Sequence, residues 1–134
     1  MQQTLDNKFY IEIDNHQTNH KDEQICGDVV MTRRIKEENR TIMVLSDGMG
    51  HGVKANVLAS LTASMLMNFT TDHSDIRKAA EIVMDTLPIC SVRKISYATF
   101  SIIDIEYDGT TNIVEYDNPQ CMIMRGTEPY DPGW

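Results

Sequence analysis

The chain has 134 residues, 41% of them hydrophobic, and this composition predicts one globular domain over residues 1–134. Its formal net charge of −8 argues against nucleic acids and acidic membranes as partners. The three cysteines lack metal-type spacing and predict buried thiols in a reducing cytoplasm rather than disulfide bridges, and no apolar run approaches the length of a membrane span. We therefore expect a cytoplasmic protein.

The first elements in chain order are predicted from alternating and continuous apolar runs. Residues 9–13 (FYIEI) alternate apolar and polar side chains, as a half-exposed strand does. Residues 28–35 and 41–45 are apolar-rich, and a short polar break at residues 36–39 (KEEN) joins them. Two strands connected by so short a loop are expected to form a hairpin.

The register of this hairpin follows from residue counting. If the turn is centred between Glu37 and Glu38, the numbers of paired residues sum to 75, and Asp28 lies directly opposite Asp47. Two carboxylates that face each other repel unless a cation lies between them, and Mg²⁺ and Mn²⁺ take carboxylate oxygens as ligands. The pairing predicts a divalent metal site; the alternative is that Asp28 begins its strand at a solvated edge.

The segment SDGMGHG, residues 46–52, follows the second strand and opens a helix. Its three glycines allow a sharp turn and a close approach of the backbone to a ligand. Apolar residues then recur every four positions, which predicts a helix from about residue 52 to 69: Val53, Val57, Leu61, Met65 and Phe69. The alternative is a tight turn with Asp47 as a capping residue. His51 is a candidate proton donor; the alternative is that it only caps the helix.

A second helix is predicted downstream of the first. Ser74 or Asp75 can cap it and Pro88 ends it. Its apolar face is formed by Ile76, Ala79, Ala80, Val83, Met84 and Leu87.

Three strands are predicted in the remaining sequence, near residues 96–107, 111–116 and 122–125, with Asp108-Gly109 as the turn of a hairpin. Strands, two helices and strands again indicate the α+β class. We expect antiparallel β-sheets flanked by two consecutive helices.

Several stretches occur in an order that indicates a family: Cys26-Gly27-Asp28, residues 44–52 (VLSDGMGHG) followed by Lys54-Ala55, and residues 97–104 (YATFSIID). Together they resemble the stage II sporulation protein E group of metal-dependent, 2C-type serine/threonine protein phosphatases. The resemblance continues to about Arg125 and implies a 2C-type phosphatase-like β-sandwich.

The resemblance also implies a two-metal site. Asp47 would bridge two Mn²⁺ or Mg²⁺ ions, Gly48 would offer its carbonyl oxygen, and Asp28 would complete the shell of one ion. The ions would convert a bound water into hydroxide, which attacks the phosphorus of phosphoserine or phosphothreonine. The substrate would be a phosphorylated protein, of the anti-sigma-factor antagonist type, in bacterial signalling.

The chain departs from this group in its second half. Members use further aspartates near the C-terminal end of the domain, and no residue here fits that role: Asp108 lies in a hairpin turn and Asp131 in a turn-rich tail. Asp117-Asn118-Pro119 also stands where relatives usually have a glycine-proline turn. We therefore expect the chain to correspond to the first two-thirds of the domain, with little activity of its own and with exposed strand edges that allow self-association.

Two other classes of function stay open. One is a non-catalytic module that binds a regulatory protein, with Asp28 and Asp47 as relics; metal titration discriminates it from the enzyme. The other is an ATP-binding fold of the histidine-kinase type, whose glycine-rich turn superficially resembles residues 47–50. That fold needs an upstream helix with an asparagine for Mg²⁺, whereas a predicted strand hairpin precedes Asp47.

Overall fold

Strands outnumber helices in the described part of the chain, which in this computed structural model comprises residues 10–18, 27–48, 52–75, 78–79, 81–83 and 98–133. The elements are, in order, β1 (Asp28–Ile35), β2 (Arg40–Asp47), α1 (Gly52–Thr71), β3 (Thr99–Ile105), β4 (Thr111–Tyr116), β5 (Met124–Arg125) and β6 (Glu128–Pro129). The first four strands form one antiparallel sheet in the order β1-β2-β3-β4, and β5 pairs with β6 in a second sheet. The predicted α+β class is confirmed.

The β1–β2 hairpin has the register that residue counting predicts. Residues 36–39 form the turn, and Asp28 pairs with Asp47 at the opposite end of the hairpin. Within the turn, Asn39 has a φ of 50°, a left-handed conformation that asparagine tolerates better than most residues. Because the turn is centred between Glu37 and Glu38, the numbers of every residue pair in the hairpin sum to 75.

The β3–β4 hairpin closes at Asp108-Gly109, as predicted. Gly109 has a φ of 89°, which other residues rarely adopt, and the carboxylate of Asp108 accepts a hydrogen bond of 3.0 Å from the N–H of Thr110. β4 has the predicted bounds, whereas β3 is shorter than its predicted range.

The two faces of the four-stranded sheet differ in what covers them. α1 packs on one of them, the helix-facing face, and the hydrophobic core lies between helix and sheet: Ile42, Val44, Phe100 and Ile102 from the strands and Ala63, Leu66 and Met67 from α1. Strand side chains alternate between faces, so Asp28 and Asp47 lie on the opposite side, the open face. Leu45 is 42% exposed on the open face, whereas Val44 next to it is fully buried.

The first predicted helix is observed, but it buries a different side from the predicted apolar stripe. Val53, Val57 and Leu61 are exposed, while Met65 and Phe69 pack partly against the core. A four-residue spacing advances about 400° around a helix, so the stripe drifts by roughly 40° at each step and cannot stay on one side. The first three turns of α1 instead bury smaller residues, which let the helix approach the sheet closely: Ala55, Ala59, Thr62 and Ala63.

Part of the predicted second helix lies in the described residues. Residues 78–79 and 81–83 are helical, and the N–H of Ala79 donates to the carbonyl of Asp75 at 2.9 Å. Ala79 and Val83 are buried, as their place on the predicted apolar face requires. The remaining positions of this prediction lie outside the described residues: Ile76, Ala80, Met84, Leu87 and Pro88. Within the described residues, no helix has the length and apolar character to cross a membrane.

One strand prediction is wrong, and another is confirmed only in part. Residues 10–13 are not in a strand although their exposure alternates, because a strand needs a backbone partner and no described strand pairs with them. Near the C-terminus, the strand predicted over residues 122–125 is reduced to β5, which pairs with β6, a two-residue strand that the sequence analysis does not predict. Gly126, with a φ of 63°, lies in the turn that joins this pair.

Candidate metal centre

Asp28 and Asp47 face each other at the end of the β1–β2 hairpin that is farthest from its turn. Both residues are partly buried, and their side chains share the open face. Directly opposed residues of an antiparallel pair have Cβ atoms roughly 4.5–5.5 Å apart, which is within reach of one ion for both carboxylates. The predicted pairing of these two residues is therefore confirmed.

The negative charge of Asp28 is disfavoured at this position. Burial raises the pKa of Asp28, and the charge of Asp47 and a hydrogen bond between the two carboxyl groups raise it further. The side chain of Gln17 donates to the backbone carbonyl of Asp28 at 2.7 Å and so fixes the start of β1. A divalent cation between the carboxylates would relieve their repulsion.

Gly48 directly follows β2, and its backbone is in close contact with that of α1. Its N–H donates to the carbonyl of Gly27 at 3.2 Å, which ties Gly48 to the residue before Asp28. A Cβ atom at position 48 would overlap the carbonyl of Ala55 and lie 2.7 Å from its Cα. Only glycine fits, and its backbone is thereby held between Asp47 and the first turns of α1.

A pocket of ≈ 390 Å³ lies beside the two carboxylates on the open face. Most of its wall is apolar and is formed by Met43, Leu45, Ile103 and Pro119. Its polar groups include Asn118, whose Nδ2 donates to Oγ of Ser101 at 3.0 Å. Burial, and then the nearby Glu115, raises the pKa of the Cys121 thiol, so the pocket contains a neutral thiol rather than a thiolate.

The donor atoms at this end of the pocket fit a hard divalent cation. Mg²⁺ and Mn²⁺ take oxygen ligands, and Asp28 and Asp47 offer carboxylates next to the carbonyl of Gly48. Across the described ranges, no cluster of three or more His, Cys, Asp or Glu side chains is arranged to hold a metal ion. The pair could hold one ion with water as its other ligands, and a second ion would need further protein ligands.

The structure brings three of the four predicted site residues together: Asp28, Asp47 and Gly48. The fourth, His51, lies outside the described residues, so its catalytic role stays a prediction. Lys54, in the first turn of α1, is exposed.

Residues 37–132 match the family described as Stage II sporulation protein E (SpoIIE). The chain belongs to the SpoIIE family. No curated protein has a matching sequence.

Three solved structures share the fold of this SpoIIE-family chain, each at 18% sequence identity. A chain from the bacterial stressosome, a modular system adapted to control secondary messenger signalling, superposes with a TM-score of 0.54 and covers 66% of this chain and 42% of its own length. RsbX in complex with magnesium has a TM-score of 0.50, and the match covers 79% of this chain and 62% of the RsbX chain. The PP2C phosphatase domain of SpoIIE from Bacillus subtilis, with a fragment of its regulatory domain, also has a TM-score of 0.50. That match covers 78% of this chain and 35% of the SpoIIE chain.

These likenesses confirm the predicted fold, that of PP2C phosphatase domains. The chain spans less than two-thirds of the length of each of the three proteins, from 35% to 62%.

Three residues of the pocket in this SpoIIE-family chain were missed by sequence analysis: Ser101, Asn118 and Cys121. Ser101 lies on the open face because it pairs with Leu45, and that pairing joins strands far apart in the sequence. Asn118 and Cys121 follow Asp117, whose φ of 56° is one that glycine adopts readily. The departure from the family's glycine-proline turn at this point is the sequence signal that could have indicated them. Cys121 is a free thiol, as predicted, but it is only partly buried; Cys26 and Cys90 lie outside the described residues.

Removing the charge of Asp28 should stabilise the metal-free protein. In Asp28→Asn the side-chain amide can still donate to Asp47, but the like-charge repulsion is gone. The free energy of unfolding at pH 7 in EDTA should therefore rise by about 0.2–1 kcal/mol. Because the folded-state pKa of Asp28 is raised, protonated Asp28 stabilises the fold. This stabilisation is fully present below the unfolded-state pKa and is lost as the pH rises through the folded-state pKa.

Thermal denaturation in EDTA, from about pH 3 to pH 7, measures this effect. Glu12→Gln is the control, because it removes the same formal charge from an exposed residue. If Asp28→Asn and Glu12→Gln change the melting temperature equally at pH 7, repulsion between Asp28 and Asp47 is not a source of instability.

Proposed function

We propose that this chain forms the first part of a Mn²⁺- or Mg²⁺-dependent phosphatase that hydrolyses phosphoserine and phosphothreonine in proteins. The observation that carries the proposal is the pairing of Asp28 with Asp47 beside Gly48, next to a pocket in a fold of the PP2C class. Membership of the SpoIIE family and the magnesium complex of the similar RsbX structure support it. The proposal includes residues 1–134 as part of one phosphatase-like domain, and a cytoplasmic location.

Each residue of the site has its own part in this proposal. Asp47 would bridge two ions, Asp28 would complete the shell of one, and Gly48 would contribute its carbonyl oxygen. When bound, the ions supply the positive charge that makes water nucleophilic at neutral pH and that neutralises the phosphoryl oxygens. His51 is the candidate proton donor to the leaving oxygen.

The proposed substrate is a phosphorylated protein of the anti-sigma-factor antagonist type, in bacterial signalling. The similar structures from the stressosome and of RsbX favour a regulatory protein as partner. The net charge of −8 disfavours nucleic acid. Self-association would use the outer edges of β1 and β4, because each of these strands has only one partner among the described strands.

Calorimetric titration with Mn²⁺ tests the metal site. Wild type should bind weakly, because Mg²⁺ and Mn²⁺ would find only two carboxylates and a carbonyl in the described site. Asp47→Asn should reduce the affinity by more than about tenfold, since loss of even an outer-shell group has effects of that size. Asp117→Asn, an exposed site with the same change of charge, should bind as wild type does. Equal binding by wild type and Asp47→Asn would contradict the role of Asp47 as a ligand.

Phosphopeptide hydrolysis tests the reaction itself. Residues 1–134 should turn over a phosphoserine peptide slowly even with Mn²⁺, because the family resemblance assigns the second ion to aspartates that this sequence does not match. Loss of one ion removes charge stabilisation from the transition state. Addition of the downstream segment of the family domain should restore turnover. Fast Mn²⁺-dependent turnover by residues 1–134 would overturn this account of the ligands. No turnover by the extended chain would favour a non-catalytic module that binds a regulatory protein.

A further inference from the structure

Arg40 lies at the end of β2 that is farthest from the metal site and is only 5% exposed. Its Nε and Nη2 donate to the two carboxylate oxygens of Asp104 on β3, at 2.8 and 2.6 Å. Nη2 also donates to the carbonyl of Thr70 at 2.8 Å, and Nη1 donates to that of Thr71 at 3.3 Å. A further contact of 3.2 Å joins Nη1 to Nε2 of His73. One side chain therefore connects two strands with the C-terminal end of α1.

These contacts are made where a helix favours a cation. The last carbonyls of a helix have no intrahelical partner and carry partial negative charge. The hydrogen bonds that Arg40 donates to Asp104 raise the pKa of Arg40, so the guanidinium stays charged although it is buried. Bidentate pairing is directional, whereas apolar packing is not, and the first half of α1 buries mainly alanines against the sheet. The polar contacts of Arg40 therefore fix where α1 lies along its own axis.

The N-terminal half of α1 is held at the opposite end of the same strand. Gly48, the residue after β2, contacts the backbone of Ala55 so closely that a methyl group has no room. From Arg40 to Gly48 an extended strand advances about 27 Å, and from Ala55 to Thr70 a helix advances about 22 Å. α1 therefore lies along most of the length of β2 and is held at both ends.

We propose that Arg40 is a positioning residue of the metal site: it clamps the C-terminal end of α1 to β2 and β3, and thereby holds the turn at Gly48 beside Asp47. The inference rests on the proposed metal site. A helix is stiff along its axis, so a displacement at Thr70 reaches Ala55 almost undiminished. Because Gly48 has no free space on that side, such a displacement moves its carbonyl relative to the two carboxylates.

The test compares Arg40→Lys with two controls. Lysine keeps the charge but lacks the fork that bonds both oxygens of Asp104 and the helix carbonyls at once. Arg34→Lys makes the same exchange at an exposed position of the hairpin, and Val83→Ala removes buried volume from the second helix. Calorimetry gives the Mn²⁺ affinity, and hydrogen exchange of the amides of residues 56–59 reports how firmly the N-terminal half of α1 is held. Both are measured where circular dichroism shows every variant folded.

We expect Arg40→Lys to weaken Mn²⁺ binding at least about tenfold and to speed amide exchange at residues 56–59. Arg34→Lys and Val83→Ala should leave the Mn²⁺ affinity unchanged. Wild-type affinity in Arg40→Lys would overturn the proposal, and so would an equal loss of affinity in a Val83→Ala protein of matched melting temperature.

The two proposals fail in different ways. If wild type binds no Mn²⁺, the metal site is refuted, and amide exchange alone decides the clamp: faster exchange in Arg40→Lys supports it and unchanged exchange refutes it. If Arg40→Lys does not fold, the double variant Arg40→Met with Asp104→Leu takes its place, because it removes the contacts with the helix carbonyls without leaving a buried charge unpaired.

Discussion

Replacement of Asp104 by alanine should lower the free energy of unfolding by about 3–5 kcal/mol. The carboxylate of Asp104 lies 2.6 Å from Nη2 of Arg40, whose side chain is only 4% exposed. Loss of one partner leaves a buried charge without compensation, which costs more than the ion pair itself contributes. Urea denaturation at pH 7 measures the loss. The double variant Arg40→Met with Asp104→Leu should recover part of it, because neither charge remains.

Glu38 provides the control for this experiment, because it is a second acid near Arg40. Its Oε1 lies 3.9 Å from Nη1 of Arg40, and its side chain is 40% exposed. Exposed ion pairs contribute little, so Glu38→Ala should cost less than about 1 kcal/mol. Equal losses in Asp104→Ala and Glu38→Ala would show that burial does not decide the strength of the Arg40 contacts.

Replacement of Gly48 by alanine should have the largest combined effect on stability and metal binding. The added methyl would meet the backbone of Ala55, which no side-chain rotation can relieve. Overpacking of this kind costs about 1–3 kcal/mol, and more where backbone must move. Because the turn between Asp47 and α1 has to shift, Mn²⁺ affinity should fall together with the melting temperature. Calorimetry and thermal denaturation of the same preparation measure the two effects.

Gly126→Ala separates close packing from backbone conformation. Gly126 has a φ of 63°, and a Cβ there would meet nothing within 4 Å. Its replacement should cost only the strain of a left-handed conformation, about 1–2 kcal/mol, and leave Mn²⁺ binding intact. A Gly48→Ala protein with wild-type stability and Mn²⁺ affinity would show that the turn is not packed against α1 as described.

The core of the candidate site could be predicted from sequence because its geometry is local. A polar break of four residues fixes the hairpin register, and the register alone places Asp28 opposite Asp47. The close packing of Gly48 against Ala55 was not predicted, because the glycines of this segment indicated only a sharp turn and a close approach to a ligand. The pocket beside them could not be predicted in this way. Its residues Asn118 and Cys121 are about seventy positions from Asp47, and no local pattern encodes that distance.

The errors in the fold have the same origin. Residues 10–13 show the alternating exposure of a strand, but a strand forms only where a partner strand supplies backbone hydrogen bonds. β6 was missed because its two residues contain a proline, and only pairing with β5 makes them a strand.

The sequence by itself determined the α+β class, both hairpin turns, the register that opposes Asp28 and Asp47, and the existence of α1. These features depend on interactions between residues close in the chain, where turn length, glycine and apolar periodicity decide the outcome. Only the tertiary structure decided which side of α1 is buried, since the sheet accepts small residues and leaves Val53 and Val57 exposed. It also decided that Arg40 pairs with Asp104 across 64 positions of sequence. Contacts between residues so far apart in the sequence depend on how helix and strands pack together. The periodicity of a single segment carries no information about that packing.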